Sequence, residues 1–291
     1  MVARSSSGLR VLFWGGVGLA EGRVIAHVGE AIVLRTWPFL EADLLVSLFT
    51  REQGRVKGVA RHAMRSRRRL GGALEPMTVV RATYAERPKQ DLVRMDAFEI
   101  VWSPMSGAVD WERMAALQLM AEVLEEALPE LAVEDAVFRL VAAVLPEVRV
   151  GRVGLPAVYF CLWMSRLMGW MPELGHCVVC GLDLRGGAVW WSATADGVTC
   201  EDDRRGGSVA LGAARVEEIR RVFRSAVAEL AVEEWPPAAD LLRFAVGLLE
   251  RHLGRRMRCA AALWGVPPPL STLGSKSSRQ EGYGGGTLPR Y

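Results

Sequence analysis

AIVLRTWPFLEADLLVSLFTREQGRVKGVARHAMRSRRRLGGALEP, residues 31–76, decides the fold. It contains three short runs rich in β-branched and aromatic residues, at 31–36, 44–50 and 55–60, and two more follow at 77–85 and 92–101. Leu44, Val46 and Leu48 fall on one face by the period-two rule, and the Glu52-Gln53-Gly54 turn puts glycine where a hairpin needs positive φ. Five strands within roughly seventy residues predict a small barrel, and the OB-fold is the commonest such design with a binding role.

Beyond this block the pattern changes. Residues 103–107 (SPMSG) have the composition of a linker, after which Leu117, Met120, Leu124 and Leu128, then Val137, Leu140, Val141 and Val144, recur at helical spacing. Residues 155–170 are apolar nearly all round, as a helix surrounded by helices should be. Two further helices are expected over 211–230 and 238–253, separated by Trp235-Pro236-Pro237. The expected class is α+β: an OB-fold β-barrel over 29–104, then an all-α helical domain over 105–265 carrying an insertion at 172–206. Residues 1–28 read as an extension, with a weakly hydrophobic run after Arg4 and Arg10 that could pass for a leader, and 266–291 as a Pro-, Ser- and Gly-rich disordered tail.

A chain of 291 residues with 51% hydrophobic and 24% charged residues can bury a substantial core. Its longest uncharged apolar run, 153–165, falls short of the ~20 residues that cross a bilayer, so no membrane partner is expected. Net charge is only +3, but it is unevenly spread. Residues 30–102 hold 13 basic and 9 acidic residues, whereas 108–150 hold 3 and 9. Within the strand region, residues 51–69 carry eight bases against the single acid Glu52. Guanidinium groups bind phosphate bidentately and never lose their charge, so Arg55, Lys57, Arg61, Arg65, Arg67, Arg68 and Arg69 are the candidate DNA-binding residues. The alternative is a merely solvated loop. Nothing in the stretch reads bases, so binding without sequence preference is expected. Arg251, Arg255, Arg256 and Arg258 crowd the end of the last helix, where they either complement its dipole or extend a DNA path.

Residues 31–76, together with 160–181 (FCLWMSRLMGWMPELGHCVVCG) and 241–259 (LLRFAVGLLERHLGRRMRC), resemble the RecO family of bacterial DNA repair proteins. The resemblance implies a recombination mediator that binds single- and double-stranded DNA and anneals complementary strands. It also implies RecR and the acidic tail of single-stranded DNA-binding protein as partners, and assistance in recombinase loading.

Five cysteines are too few, and odd in number, for a disulfide framework, which suits a reducing cytoplasm. Cys177-Val178-Val179-Cys180 is a zinc-knuckle half-site, and Cys200 lies at a suitable distance for the second half. Many RecO-like proteins have a fourth cysteine where this chain has Asp203. Asp203, Asp202 or His176 could complete a structural zinc site, or the metal has been lost. Cys161 and Cys259 sit in helical patterns and read as small apolar fillers. Enzyme signatures are missing: there is no Gly-Lys dipeptide for a phosphate loop, Glu21 spoils the dinucleotide fingerprint begun at Gly16, and neither G-x-S-x-G nor H-E-x-x-H occurs. The competing expectations are a zinc-dependent nucleic-acid enzyme with an open coordination position at Asp202 or Asp203, and an interaction module that uses the acidic helices without touching DNA.

Overall fold

A computed structural model describes residues 25–65, 72–86, 90–106, 110–231 and 239–264. Strands β1 (Ile25–Phe39), β2 (Asp43–Thr50), β3 (Gly54–Ala60), β4 (Val79–Glu86) and β5 (Val93–Trp102) pair in a closed ring of order β1-β2-β3-β5-β4. β1 makes closure possible through its length. Its first half pairs with β4, from Ile25↔Glu86 to Ile32↔Val79, and its second half pairs with β2, from Ala31↔Thr50 to Phe39↔Asp43. The strand therefore begins at Ile25, six residues before the first strand expected at 31–36 and four before the expected domain boundary at 29. β3 and β5 meet in parallel at Gly58↔Val93, and a Cβ on Gly58 would stand 2.5 Å from the Val93 carbonyl oxygen, so glycine permits this closure.

The barrel interior holds Val33, Val46, Leu48, Val56, Val80, Tyr84, Met95 and Phe98. The pleat sends Ile32, Leu34 and Phe49 outward, where they join one continuous core with the helices. Phe49 meets Phe138 with ring centroids 5.5 Å apart. A register shift between Val33 and Arg35 then keeps Arg35, Trp37 and Phe39 on the outer face, opposite Ser47, Leu45 and Asp43 of β2.

Helix α1 (Trp111–Ala127) starts where the Asp110 carboxylate accepts the Glu112 N–H at 3.2 Å. α2 (Asp135–Arg149) and the nearly all-buried α3 (Gly154–Leu167) follow as the apolar periodicity predicts. The single helix expected over 211–230 is corrected by the structure. Leu211 ends a strand, and the remainder splits into α4 (Ala213–Val222) and α5 (Val227–Ala231). The break has a cause: Trp163 Nε1 donates to the Val222 carbonyl at 3.2 Å, the Tyr159 hydroxyl to the Ser225 carbonyl at 3.2 Å, and Glu229 accepts the Ala226 N–H at 3.1 Å. These partners satisfy the groups that a continuous helix would have paired internally. α6 (Ala239–Leu253) packs on α3 and completes the helical body.

Between α3 and α4 lies a feature invisible to pattern reading, a small sheet of order β7-β6-β8 formed by β6 (Val189–Trp191), β7 (Val198–Thr199) and β8 (Val209–Leu211). Its two- and three-residue strands are too short to show periodicity. Trp191 anchors it to α6, edge-on to Phe244 at 5.5 Å. Among the described residues no helix is long and apolar enough to cross a membrane. The expected extension up to residue 24, the Trp235-Pro236-Pro237 break and the expected tail lie outside the described residues.

Candidate nucleic-acid interface and metal site

The outer face of β1, β2 and β3 is divided. Its upper part lies beneath α1 and the segment after it, and that cover takes two of the expected DNA-binding residues. Arg55 is only 9% exposed: Nη1 donates to Glu125 Oε1 at 3.0 Å and Nε to the Leu128 carbonyl at 2.8 Å. Lys57 Nζ lies 2.8 Å from Glu130 Oε1 and 3.6 Å from Glu125 Oε1. Ser47 donates to the other Glu125 oxygen at 2.5 Å. Arg51 is paired with Asp135 at 3.0 Å. The reading of Arg55 and Lys57 as free phosphate ligands is therefore corrected. The acidic segment that made 108–150 look like a separate surface docks on the basic strand and neutralises it. Through its hydrogen bond, Lys57 holds the Glu130 carboxyl below the ordinary carboxylate range.

The lower part of the face stays open. Arg35 lies 5.1 Å and Lys57 6.0 Å from the Trp37 ring centroid, both on the single row that runs through Ser47 beside the Trp37 row. Of the two, only Lys57 is tied to a carboxylate among the described residues. Arg61 and Arg65 are exposed at the end of β3 and in the short 3₁₀ turn Ala63–Arg65. Arg67, Arg68 and Arg69 lie outside the described residues. Counting charges along one segment missed Arg35 and Trp37; the signal available was their shared parity on β1 with Lys57's row on β3. At the far end of the chain, Arg255 is held by Glu122 and Glu126 and Arg251 by Asp196, whereas Arg256 and Arg258 are exposed.

The cysteine insertion folds as a knuckle. The Cys177 N–H donates to the Leu182 carbonyl and the Gly181 N–H to the Cys177 carbonyl, each at 2.9 Å. Val178 N–H donates to the Val198 carbonyl at 3.0 Å, fastening the knuckle to β7, which delivers Cys200. Asp203 Oδ2 lies 3.2 Å from the sulfurs of Cys177 and Cys200, and the Cys180 and Cys200 sulfurs are 3.8 Å apart. All four ligand atoms lie within 4.8 Å of one another. Tetrahedral ligation with Zn–S bonds of about 2.3 Å would separate two sulfurs by about 3.8 Å, so the residues present fit such an ion. His176 turns instead toward Glu173, at 3.2 Å, and Asp202 stands outside the cluster. The thiols of Cys180, Cys177 and Cys200 hold the Asp203 carboxyl below its usual range, and Asp203 in turn pushes the Cys180 thiol up to about 12. Cys161 is buried in α3 and its thiol is likewise pushed up to about 12, by burial alone.

A closed five-stranded barrel sharing its core with a helical body that carries a Cys₃Asp knuckle defines a particular class of α+β protein. Residues 26–104 match the family described as Recombination protein O N terminal, and 108–259 match Recombination protein O C terminal. The chain is 48% identical over 230 residues to the DNA repair protein RecO of Koribacter versatilis, covering 78% of this chain and 94% of that one. It is 34% identical over 244 residues to the DNA repair protein RecO of Anaeromyxobacter sp. (strain K), covering 82% and 96%. The chain belongs to the RecO family of DNA repair proteins.

Proposed function

We propose that this protein is a non-enzymatic recombination mediator that binds single- and double-stranded DNA without sequence preference, anneals complementary strands and assists recombinase loading in the cytoplasm. The observation that carries this reading is the open barrel face, where Arg35, which has no carboxylate partner among the described residues, lies over Trp37 and the surface runs out to exposed Arg61 and Arg65. Cations beside an aromatic ring grip phosphates while offering a base a stacking partner, and neither contact depends on sequence. The ring order β1-β2-β3-β5-β4, with β3 parallel to β5, supports the OB reading of the barrel.

Zinc in the knuckle would be held by Cys177, Cys180, Cys200 and Asp203 as a structural ion. With four ligands from the chain itself, no position is left for a reacting water, which favours a mediator over a hydrolase. The partners are RecR and the acidic tail of single-stranded DNA-binding protein. A groove between α3, the segment after it and α4 mixes the apolar Met171, Leu174 and Phe223 with Arg166, Arg185 and Arg220 and the acid Glu173. Arg185 and Arg220 are paired with Asp183 and Glu217, so Arg166 is the cation that the groove offers most directly to that tail.

The deciding experiment is single-strand binding and annealing across a salt series, with Arg65, Arg67, Arg68 and Arg69 changed together to Ala. The expected result is weaker binding, with the log–log salt slope shallower by up to about 2.8, at about 0.7 for each phosphate no longer neutralised. Unaltered affinity and slope would overturn the assignment of those residues, and a wild-type chain that neither binds nor anneals DNA would overturn the mediator reading.

A further inference from the structure

One surface lies outside the basic stretch and the knuckle. At the junction of barrel and helical body a groove of about 190 Å³ is lined by Arg35 and Pro76 from the barrel side, Gln118 and Glu122 of α1, and Arg258 and Cys259 after α6. We infer that Arg35 and Arg258 form a phosphate-binding step here, which carries a single DNA strand off the barrel face and onto the helical body. The inference rests on the DNA-binding reading above and adds a site that the basic stretch does not contain.

Three observations support it. Most cations near this junction are spent on the protein's own carboxylates, including Arg55, Lys57 and Arg255. Among the described residues, neither the Arg35 nor the Arg258 guanidinium has a salt bridge, so two cations contributed by different parts of the chain converge on one groove without an anion of their own. Second, each is held in position. Arg35 lies 5.1 Å from the Trp37 centroid, and the backbone N–H groups of Arg258 and Cys259 both donate to Glu122, each at 3.2 Å. Those bonds, and Arg255 at 3.8 Å, occupy the Glu122 carboxylate, the one acid in the groove. Third, the position continues the track. Arg35 borders both Trp37 and the groove, so a strand whose base stacks on Trp37 has its neighbouring phosphates beside Arg35 and then Arg258. The Cys259 thiol between them registers the arrangement: burial and Glu122 push it up to about 12, while both guanidiniums oppose the shift.

The test is a titration of full-length protein with single-stranded oligothymidylate and with a blunt duplex over a salt series, for wild type and Arg35→Gln/Arg258→Gln. With two fewer phosphates neutralised on the single strand, the log–log slope should become shallower by about 1.4, with a smaller change on the duplex, and Arg258→Lys should retain wild-type binding. Arg258→Gln alone, made at an exposed side chain, should move the slope by about 0.7 and keeps the test decisive if Arg35→Gln disturbs Trp37. A double variant with the wild-type slope overturns the junction site alone. Equal changes on both substrates overturn the single-strand assignment. A wild-type protein that binds neither substrate overturns the mediator reading itself.

Discussion

Arg55 and Glu125 form an ion pair at 3.0 Å with side chains only 10% and 7% exposed, joining β3 of the barrel to the end of α1. Ser47 and Lys57 reach the same carboxylate, so both Glu125 oxygens have partners. A buried pair of this kind adds little net stability over an apolar replacement, but losing one member strands the other. Glu125→Ala should therefore cost about 3–5 kcal/mol in urea unfolding, while Arg55→Met combined with Glu125→Leu should recover most of that loss. A loss below about 1 kcal/mol for Glu125→Ala would mean that the pair is solvated and the barrel free to swing.

Glu130 gives the same contact a pH signature. Lys57 lowers its folded-state pKa from the ordinary value of 4.5, so the unfolded chain binds the proton more tightly. The stabilisation is present above about pH 4.5 and is lost as pH falls through the depressed folded value. Melting temperature against pH should decline less steeply below pH 4.5 in Glu130→Gln than in wild type. Parallel curves would show that the Lys57 contact does not persist in solution.

Most of the strand positions were legible because they are rich in β-branched and aromatic residues, with alternation plain at Leu44, Val46 and Leu48, whereas residues 25–30 of β1 were not read as strand. Helices α1 to α3 were legible because their apolar stripes repeat over several turns. Arg55 misled for a definite reason. A basic residue on a strand and an acid seventy positions later are each read as solvent-facing, yet burial of Phe49 and Ile32 beneath the helices forces their row together. The ligand set at the knuckle had the opposite character. Spacing placed Cys177, Cys180 and Cys200 together, but only the turn after β7 chooses Asp203 over Asp202 and His176. The β6–β8 sheet offered no sequence signal, since its strands are held by neighbours rather than by their own periodicity.

Gly54 tests how closely the halves of the molecule are seated. It has φ of +71°, and a Cβ there would lie 1.8 Å from the Ala132 carbonyl oxygen, beside the point where the Leu131 N–H donates to the Arg55 carbonyl at 2.9 Å. Gly54→Ala meets both penalties, a left-handed backbone worth roughly 1–2 kcal/mol and a clash with backbone that cannot rotate away. The expected loss exceeds about 2 kcal/mol by denaturant unfolding, with a greater share of the helical body's protection lost in hydrogen exchange around residues 128–132. A neutral substitution would mean that this segment lifts from the barrel at little cost.

The knuckle predicts a definite metal stoichiometry. Three thiolates and a carboxylate carry the same formal charge as four thiolates, so Asp203 preserves the electrostatic attraction for zinc while replacing one soft ligand with a hard one. Purified protein should contain about one zinc per chain by elemental analysis, and Cys177→Ser should lower that content. Asp203→Cys should keep the stoichiometry and slow metal loss to a chelator, because the added thiolate suits the ion better. Removal of the metal should lower the melting temperature, since Val178, Cys200 and Trp191 tie the site through its sheet to α6. A metal-free wild type with an unchanged melting temperature would leave the 3.2 Å contacts of Asp203 as thiol hydrogen bonds and nothing more.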